Sequence, residues 1–275
     1  MYLLLDLGNS RCKYLLSDAL PVVVAQGSEE YELGSWDNQS FNQGFWEKQL
    51  QRFQSKKLSK VFVSSVAGKE RKEWLEAICQ QVLGLTPIFA ESTHTYVSEK
   101  LRRLSNSYDS PMALGVDRWL AMVGAFELCD TEFVVIDAGT AITTDWVSKD
   151  GQHQGGHIVA GGRMLQQSLL GGTGGIAWSA SHDGELKGES FGVNTSAAVA
   201  LGAETMIKGY CGQLMKDIAD QAETKAVKLF VTGGDGDFIV TCLQEAMKER
   251  QLEYSISYQP HLVLKGLSYW FSLNN

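Results

Sequence analysis

Two short phrases in this chain could bind and move a phosphate: Leu5-Asp6-Leu7-Gly8-Asn9-Ser10 and Ile136-Asp137-Ala138-Gly139-Thr140. Each ends an apolar run with an Asp, then a glycine and an amide or hydroxyl residue. Such a turn lets backbone N–H groups approach phosphate oxygens, with Asn9, Ser10 or Thr140 adding hydrogen bonds and the Asp holding a cation directly or through water. A single D-x-G-[NST] is also ordinary hairpin punctuation. Two copies, 131 residues apart and each opening an equivalent half, argue for function. Lys13 could reach a phosphate as a point charge, or be a solvated strand lysine.

A third phrase, Gly115-Val116-Asp117-Arg118, opens an otherwise apolar helix. Asp117 is favoured there by the helix dipole whatever its role. Arg118 opposes the dipole and needs another reason, which a substrate carboxylate bound by its fork would supply. Beside it, Asp117 could accept the proton of an alcohol, as phosphoryl transfer requires.

Glycine is abundant and proline scarce, 28 against 4, and 13 of the glycines fall between Gly139 and Gly192. The run Gly155-Gly156-His157-Ile158-Val159-Ala160-Gly161-Gly162 is denser than a turn requires and reads as substrate contact, with His157 a weak candidate. Thr232-Gly233-Gly234-Asp235-Gly236 would let a flat ring such as adenine lie on the backbone, although a glycine-rich strand-to-helix turn explains it as well. No P-loop, G-x-G-x-x-G, G-x-S-x-G or H-E-x-x-H occurs.

The elements that must hold these residues repeat once. The first half reads as a hairpin up to Leu16, a third strand over Leu20 to Ala25, an irregular stretch over Gly27 to Asn42, and a helix around Phe45 to Phe53. A strand at Val61 to Val63, a helix over Glu70 to Leu83 stopped by Gly84, and a strand at Pro87 to Phe89 complete it. After a polar stretch from Glu91 to Ser110 and a helix from Gly115 to Leu128, three strands, helices, strand, helix, strand and a closing helix from His261 to Phe271 follow. A duplicated α/β chain is expected, with halves 1–114 and 115–275, the terminal helix able to pack back on the first, and a cleft between them.

Composition narrows the class. A net charge of −8 disfavours binding along a nucleic acid, and no apolar run approaches the roughly 18 residues of a membrane helix. The first residues read as a strand and not as a signal peptide. Five scattered cysteines suggest reduced, mostly buried thiols in a cytoplasm.

In this order, D-x-G-N-S, G-x-D-R, D-A-G-T and T-G-G-D resemble the type III pantothenate kinase family, of the acetate and sugar kinase, heat-shock protein and actin superfamily. The resemblance runs nearly end to end. It implies duplicated actin or ribonuclease H-like domains with mixed five-stranded sheets, and ATP-dependent phosphorylation of the pantothenate 4′-hydroxyl, the first step toward coenzyme A. By the same resemblance Asp6, Leu7, Gly8, Asn9, Ser10, Arg11, Cys12, Lys13 and Thr140 would hold ATP, and Asp117 would be the general base. Tyr108, Gly115, Val116, Asp117, Arg118 and Thr195 would bind pantothenate, and Asp137 would ligate potassium or ammonium. Mg²⁺ would accompany ATP, and the protein would be a cytoplasmic homodimer.

Two departures stand out: Tyr108-Asp109-Ser110-Pro111 where the family shows Tyr-x-Asn-Pro, and Ala160 for a proline in G-G-x-I-x-P-G. The competing readings are a non-catalytic regulatory protein on the same fold, and a kinase for another small hydroxy acid or sugar.

Overall fold

Three consecutive leucines set the first element. Leu3, Leu4 and Leu5 are all fully buried in strand β1 (Tyr2–Leu7), as in a strand covered on both faces. A computed structural model describes residues 1–22, 31–37, 42–172, 190–223 and 226–273. Strand β2 (Arg11–Ser17) returns antiparallel to β1, and β3 (Tyr31–Asp37) continues antiparallel along β2. Helix α1 (Gln43–Gln51) follows, started by Asn42, whose side chain accepts the Phe45 N–H. Next come β4 (Lys60–Ser65), α2 (Lys69–Leu83) and the short β5 (Ile88–Phe89). Gly84, with φ of 68°, ends α2 in the left-handed region, as its position predicted. Parallel pairing of β4 with β1 and of β5 with β4 gives the sheet order β3-β2-β1-β4-β5.

A small hairpin, β6 (Thr95–Val97) with β7 (Arg103–Ser105), precedes α3 (Val116–Leu128). Then come β8 (Phe133–Ala138), β9 (Ala141–Val147), β10 (His153–Ala160), α4 (Gly162–Gly172), α5 (Thr195–Gln221), β11 (Lys228–Thr232), α6 (Gly236–Arg250), β12 (Ser255–Tyr258) and α7 (Leu262–Leu273). The second sheet runs β10-β9-β8-β11-β12, the same order as the first. Each Asp-Gly phrase therefore ends the central strand of its own five-stranded sheet.

The third strand of the first sheet is not where the sequence put it. Residues 20–22 are not strand, and 23–25 lie outside the described residues. The strand is β3, inside the stretch taken as irregular. Only Trp36 of its seven residues is buried, so this edge strand carries no apolar alternation to read. The third strand expected in the second half is the edge strand β10, which holds most of the glycine-rich run from Gly155, while several glycines of the cluster fall within 173–189, outside the described residues.

The chain forms two compact units. One comprises Met1–Thr131, Asp145–Gly155 and His261–Asn275; the other comprises Glu132–Thr144 and Gly156–Pro260. In the first unit Gly151, with φ of 79°, brings the end of the β9–β10 hairpin onto β7: a Cβ there would lie 2.1 Å from the Arg103 carbonyl oxygen, and the Ser105 N–H donates to the Gly151 carbonyl at 2.8 Å. In the same unit α3 and α7 touch backbone to backbone. A Cβ on Gly266 would stand 1.8 Å from the Leu120 carbonyl oxygen, and one on Gly124 would stand 2.7 Å from that of Leu262.

That approach separates two glycine substitutions. Gly209, in α5, has nothing within 4 Å of an added Cβ among the described residues, so Gly209→Ala should stabilise by up to about 1 kcal/mol through helix propensity. Gly266→Ala should lose about 2 kcal/mol or more, because backbone must move. Urea unfolding checks both; midpoints shifting in the same direction would refute the close packing.

Candidate active site

The first Asp-Gly turn joins β1 to β2. Asp6 stands opposite Lys13 of β2 and beside Ser64 of β4, so a carboxylate, a lysine and a hydroxyl share one face at the carboxyl ends of two parallel strands. Open α/β sheets receive ligands at such ends. The Gly8 N–H donates to the Arg11 carbonyl at 3.0 Å, closing the turn through Asn9 and Ser10. Leu7 and Cys12 are buried in the core, where burial pushes the Cys12 thiol well above its ordinary value. Of the expected phosphate run, these two offer only backbone.

Gly115 leads into α3 with extended backbone, and a Cβ on it would lie 2.6 Å from Asp117 Oδ1 and 3.8 Å from Val66 Cγ1. Glycine is needed there because the carboxylate folds back over the helix start. Val66 directly follows β4, whose Ser65 pairs with Leu7 of β1, so α3 begins at the same strand ends as the first turn. Asp117 Oδ1 accepts the Arg118 backbone N–H at 2.8 Å. Burial holds the Asp117 carboxyl above its ordinary value, against the lowering effects of that hydrogen bond and of the Arg118 charge; negative Asp145 adds to the rise. A raised carboxyl is better matched to accepting a proton near neutral pH.

Arg118 answers its own puzzle differently from expectation. Only 6% exposed, it turns its fork inward to Asp145, with Nε to Oδ2 at 2.9 Å and Nη2 to Oδ1 at 2.6 Å. The acid that explains a cation in the first turn is thus part of the protein. Arg118 Nη1 donates to the Tyr108 hydroxyl at 3.0 Å, and His153 Nε2 lies 3.0 Å from Asp145 Oδ1. Asp145 and His153 were not singled out from sequence. The available signal was the unexplained Arg118, which called for a buried acid somewhere, but not for one 27 residues away.

In the second unit Asp137 ends β8 in register with Thr232 of β11, repeating the pairing of Asp6 with Ser64. The Gly139 N–H donates to the Ala141 carbonyl at 3.0 Å, forming the turn that carries Thr140. Two glycines press on this turn. A Cβ on Gly161 would lie 2.3 Å from the Gly139 carbonyl oxygen, and one on Gly233, whose φ is 94°, 2.1 Å from that of Ala138. Local packing therefore explains Gly161 and Gly233. Gly236 packs on the Tyr258 ring, whereas an added Cβ on Gly234 would meet none of the described residues within 4 Å. Thr195 opens α5, exposed, beside the capping Asn194, whose side chain accepts the Ala197 N–H at 2.9 Å.

Since burial is the leading cause of the Asp117 shift, ionising this carboxyl costs the folded state. Its contribution is fully present below the unfolded carboxyl value, about pH 4, and is lost as pH rises through the higher folded value. Asp117→Asn should therefore unfold at a higher urea concentration than the parent at pH 7, with the difference closing toward pH 4. A less stable Asn variant at pH 7 would mean that the surroundings favour the ionised form.

The stretch that holds these residues matches a known family. A family model described as type III pantothenate kinase matches residues 2–218. A type III pantothenate kinase of Colwellia psychrerythraea is 31% identical, over 97% of this chain and 98% of its own. Among solved structures, a Campylobacter jejuni protein described provisionally as a Baf family transcriptional activator is 24% identical, with a TM-score of 0.53 over 99% of this chain and 98% of its own. A provisionally assigned 2-dehydro-3-deoxygalactonokinase from Sinorhizobium meliloti is 12% identical, with a TM-score of 0.55 over 98% and 97%. These structural likenesses speak for the fold alone. With the family model covering most of its length, the chain belongs to the type III pantothenate kinase family.

Proposed function

We propose that this protein transfers the γ-phosphoryl group of ATP to the 4′-hydroxyl of pantothenate, giving 4′-phosphopantothenate and ADP, the first step of coenzyme A synthesis. Beyond family membership, the observation that carries the reading is Asp117, a carboxyl raised by burial and fixed over Gly115 at the strand ends that also hold Asp6. In the reaction Asp117 accepts the hydroxyl proton as the alcohol oxygen bonds to the γ-phosphorus and the bond to the β-phosphate oxygen breaks, leaving ADP. Little else is covalent, so the remaining task is to position groups and neutralise charge. The backbone of Asp6 to Lys13, the side chains of Asn9, Ser10 and Lys13, and Thr140 hold the ATP phosphates. Tyr108, Gly115, Val116, Arg118 and Thr195 line the pantothenate site.

Two cations belong to this reading. Mg²⁺ is usually held by one or two carboxylates plus substrate phosphates. Asp6 fits, with the buried Ser64 Oγ beside it, which has no hydrogen-bond partner among the described residues. Asp137 and the carbonyls of its turn are hard oxygen donors suited to potassium or ammonium. Both ions would neutralise phosphate charge. We also place the protein in the cytoplasm as a homodimer. In support, the five cysteines are thiols, and Phe191 and Val193 before α5 and Met206 within it expose 87%, 92% and 61% of their surface, an apolar display typical of contact surfaces. No helix among the described residues is long and apolar enough to cross a membrane.

The test is ADP release from MgATP with and without pantothenate, in potassium and in sodium buffer. Pantothenate-dependent release in potassium, reduced in sodium, is expected, with Asp117→Asn folded but slower by about 10²-fold or more. Absence of pantothenate-dependent release in potassium would overturn the reading.

A further inference from the structure

We infer that Cys211 and Cys242 form a redox-modification site in the second unit, a dithiol that hydrogen peroxide converts into an intramolecular disulfide tying α5 to α6. The inference concerns chemistry away from the phosphate turns and stands whether or not the kinase reading does.

Both cysteines are buried, Cys211 within α5 and Cys242 within α6. The two helices run antiparallel along their contact. Lys208, three residues before Cys211, pairs with Glu245, three residues after Cys242, at 3.5 Å, so the cysteines face each other one turn further along the same seam. The Cys211 thiol donates a hydrogen bond to the Cys242 sulfur. Facing positions on helices packed about 8–10 Å apart bring their Cα atoms within about 6 Å, inside the span of a disulfide. The bond would couple α5, which begins at Thr195, to α6, which begins at Gly236.

The surroundings drive the two thiols apart. The Cys211 hydrogen bond lowers the Cys242 thiol, against burial, with the Lys208 charge helping and the carboxylates of Glu245 and Glu204 opposing. The same hydrogen bond and burial push Cys211 well up, so it remains the donor. Buried thiols are ordinarily inert. At Cys242 a donor thiol and a cation favour the thiolate, and the half-exposed Lys208–Glu245 pair brings solvent within one helical turn. Cys242 is therefore the attacking sulfur. Its thiolate attacks one peroxide oxygen, the O–O bond breaks, and the departing hydroxide takes up the proton that Cys242 released, leaving a sulfenic acid. The Cys211 sulfur then bonds to that of Cys242 while its proton joins the sulfenic hydroxyl, which leaves as water. Two thiols and one peroxide become one disulfide and two waters. Cys12 and Cys79 provide the contrast, since both lie in the apolar cluster of the first unit and burial raises both, Cys79 to about 12.

The test treats the folded full-length protein with hydrogen peroxide, unfolds it, alkylates the remaining thiols, digests it without reduction and maps the peptides by mass. A linked Cys211–Cys242 pair, about 2 Da lighter than its two thiol peptides together, is expected, with Cys12 and Cys79 recovered alkylated. The bond spans 31 residues of sequence, and closing such a loop should raise the melting temperature of the treated protein by about 5 °C or more, reversibly with dithiothreitol. Two variants test the order of attack. In Cys211→Ala a 1,3-diketone probe should trap a sulfenic acid at Cys242, whereas in Cys242→Ala Cys211 should remain a thiol. Recovery of both Cys211 and Cys242 alkylated after peroxide, or a Cys12–Cys79 link in place of theirs, would overturn the inference. Equal trapping in the two variants would overturn Cys242 as the attacking sulfur. Should a variant not fold, the peptide map of the parent decides whether the site exists.

Discussion

A guanidinium buried at the start of α3 is the constraint on which the first unit is organised. Isolated charges are too costly to leave inside a protein, and removing one partner of a buried pair typically costs about 3–5 kcal/mol. Arg118 therefore obliges the fold to deliver an acid, and the acid comes from β9, with both carboxylate oxygens engaged. Bringing Asp145 there requires the end of the β9–β10 hairpin to join the first unit, which it does by docking Gly151 against the Arg103 carbonyl. The same docking brings His153 beneath Tyr108. A short segment of the second sheet is thus committed to supporting residues from the loop before α3.

Glycine works throughout as a spacing device. At Gly115 it makes room for a carboxylate, at Gly124 and Gly266 for a neighbouring helix backbone, and at Gly161 and Gly233 for the turn after Asp137. The compositional surplus between Gly139 and Gly192 reflects only part of this use. Gly115 lies outside that interval, and Gly161 and Gly233 serve the turn itself more directly than a ligand.

What could be read from the sequence follows from how local the signal is. The strand ending in Asp137, the helix beginning after Gly115 and the closing helix each combine an apolar pattern with a turn or cap residue, and each lies within a few residues of its expected place. Strand β3 and the hairpin of β6 and β7 escaped because an edge strand with one buried side chain, or strands of three residues, leave no period to detect. Strand β10 was expected and is present, although its glycines and exposed face imitate a loop. Asp6, Asp117 and Asp137 sit in contiguous phrases, so the sequence could nominate each of them. Asp145 and His153 were not nominated, because their meaning comes from contacts with Arg118, Ser107 and Tyr108, tens of residues away in sequence.

The central claim is that Asp117 receives the proton of the acceptor alcohol. A crystal structure with pantothenate and a non-hydrolysable ATP analogue tests it most directly. The account predicts the 4′-hydroxyl within about 2.6–3.2 Å of an Asp117 carboxylate oxygen, the distance general-base catalysis needs. A 4′-hydroxyl resting on another carboxylate would contradict it.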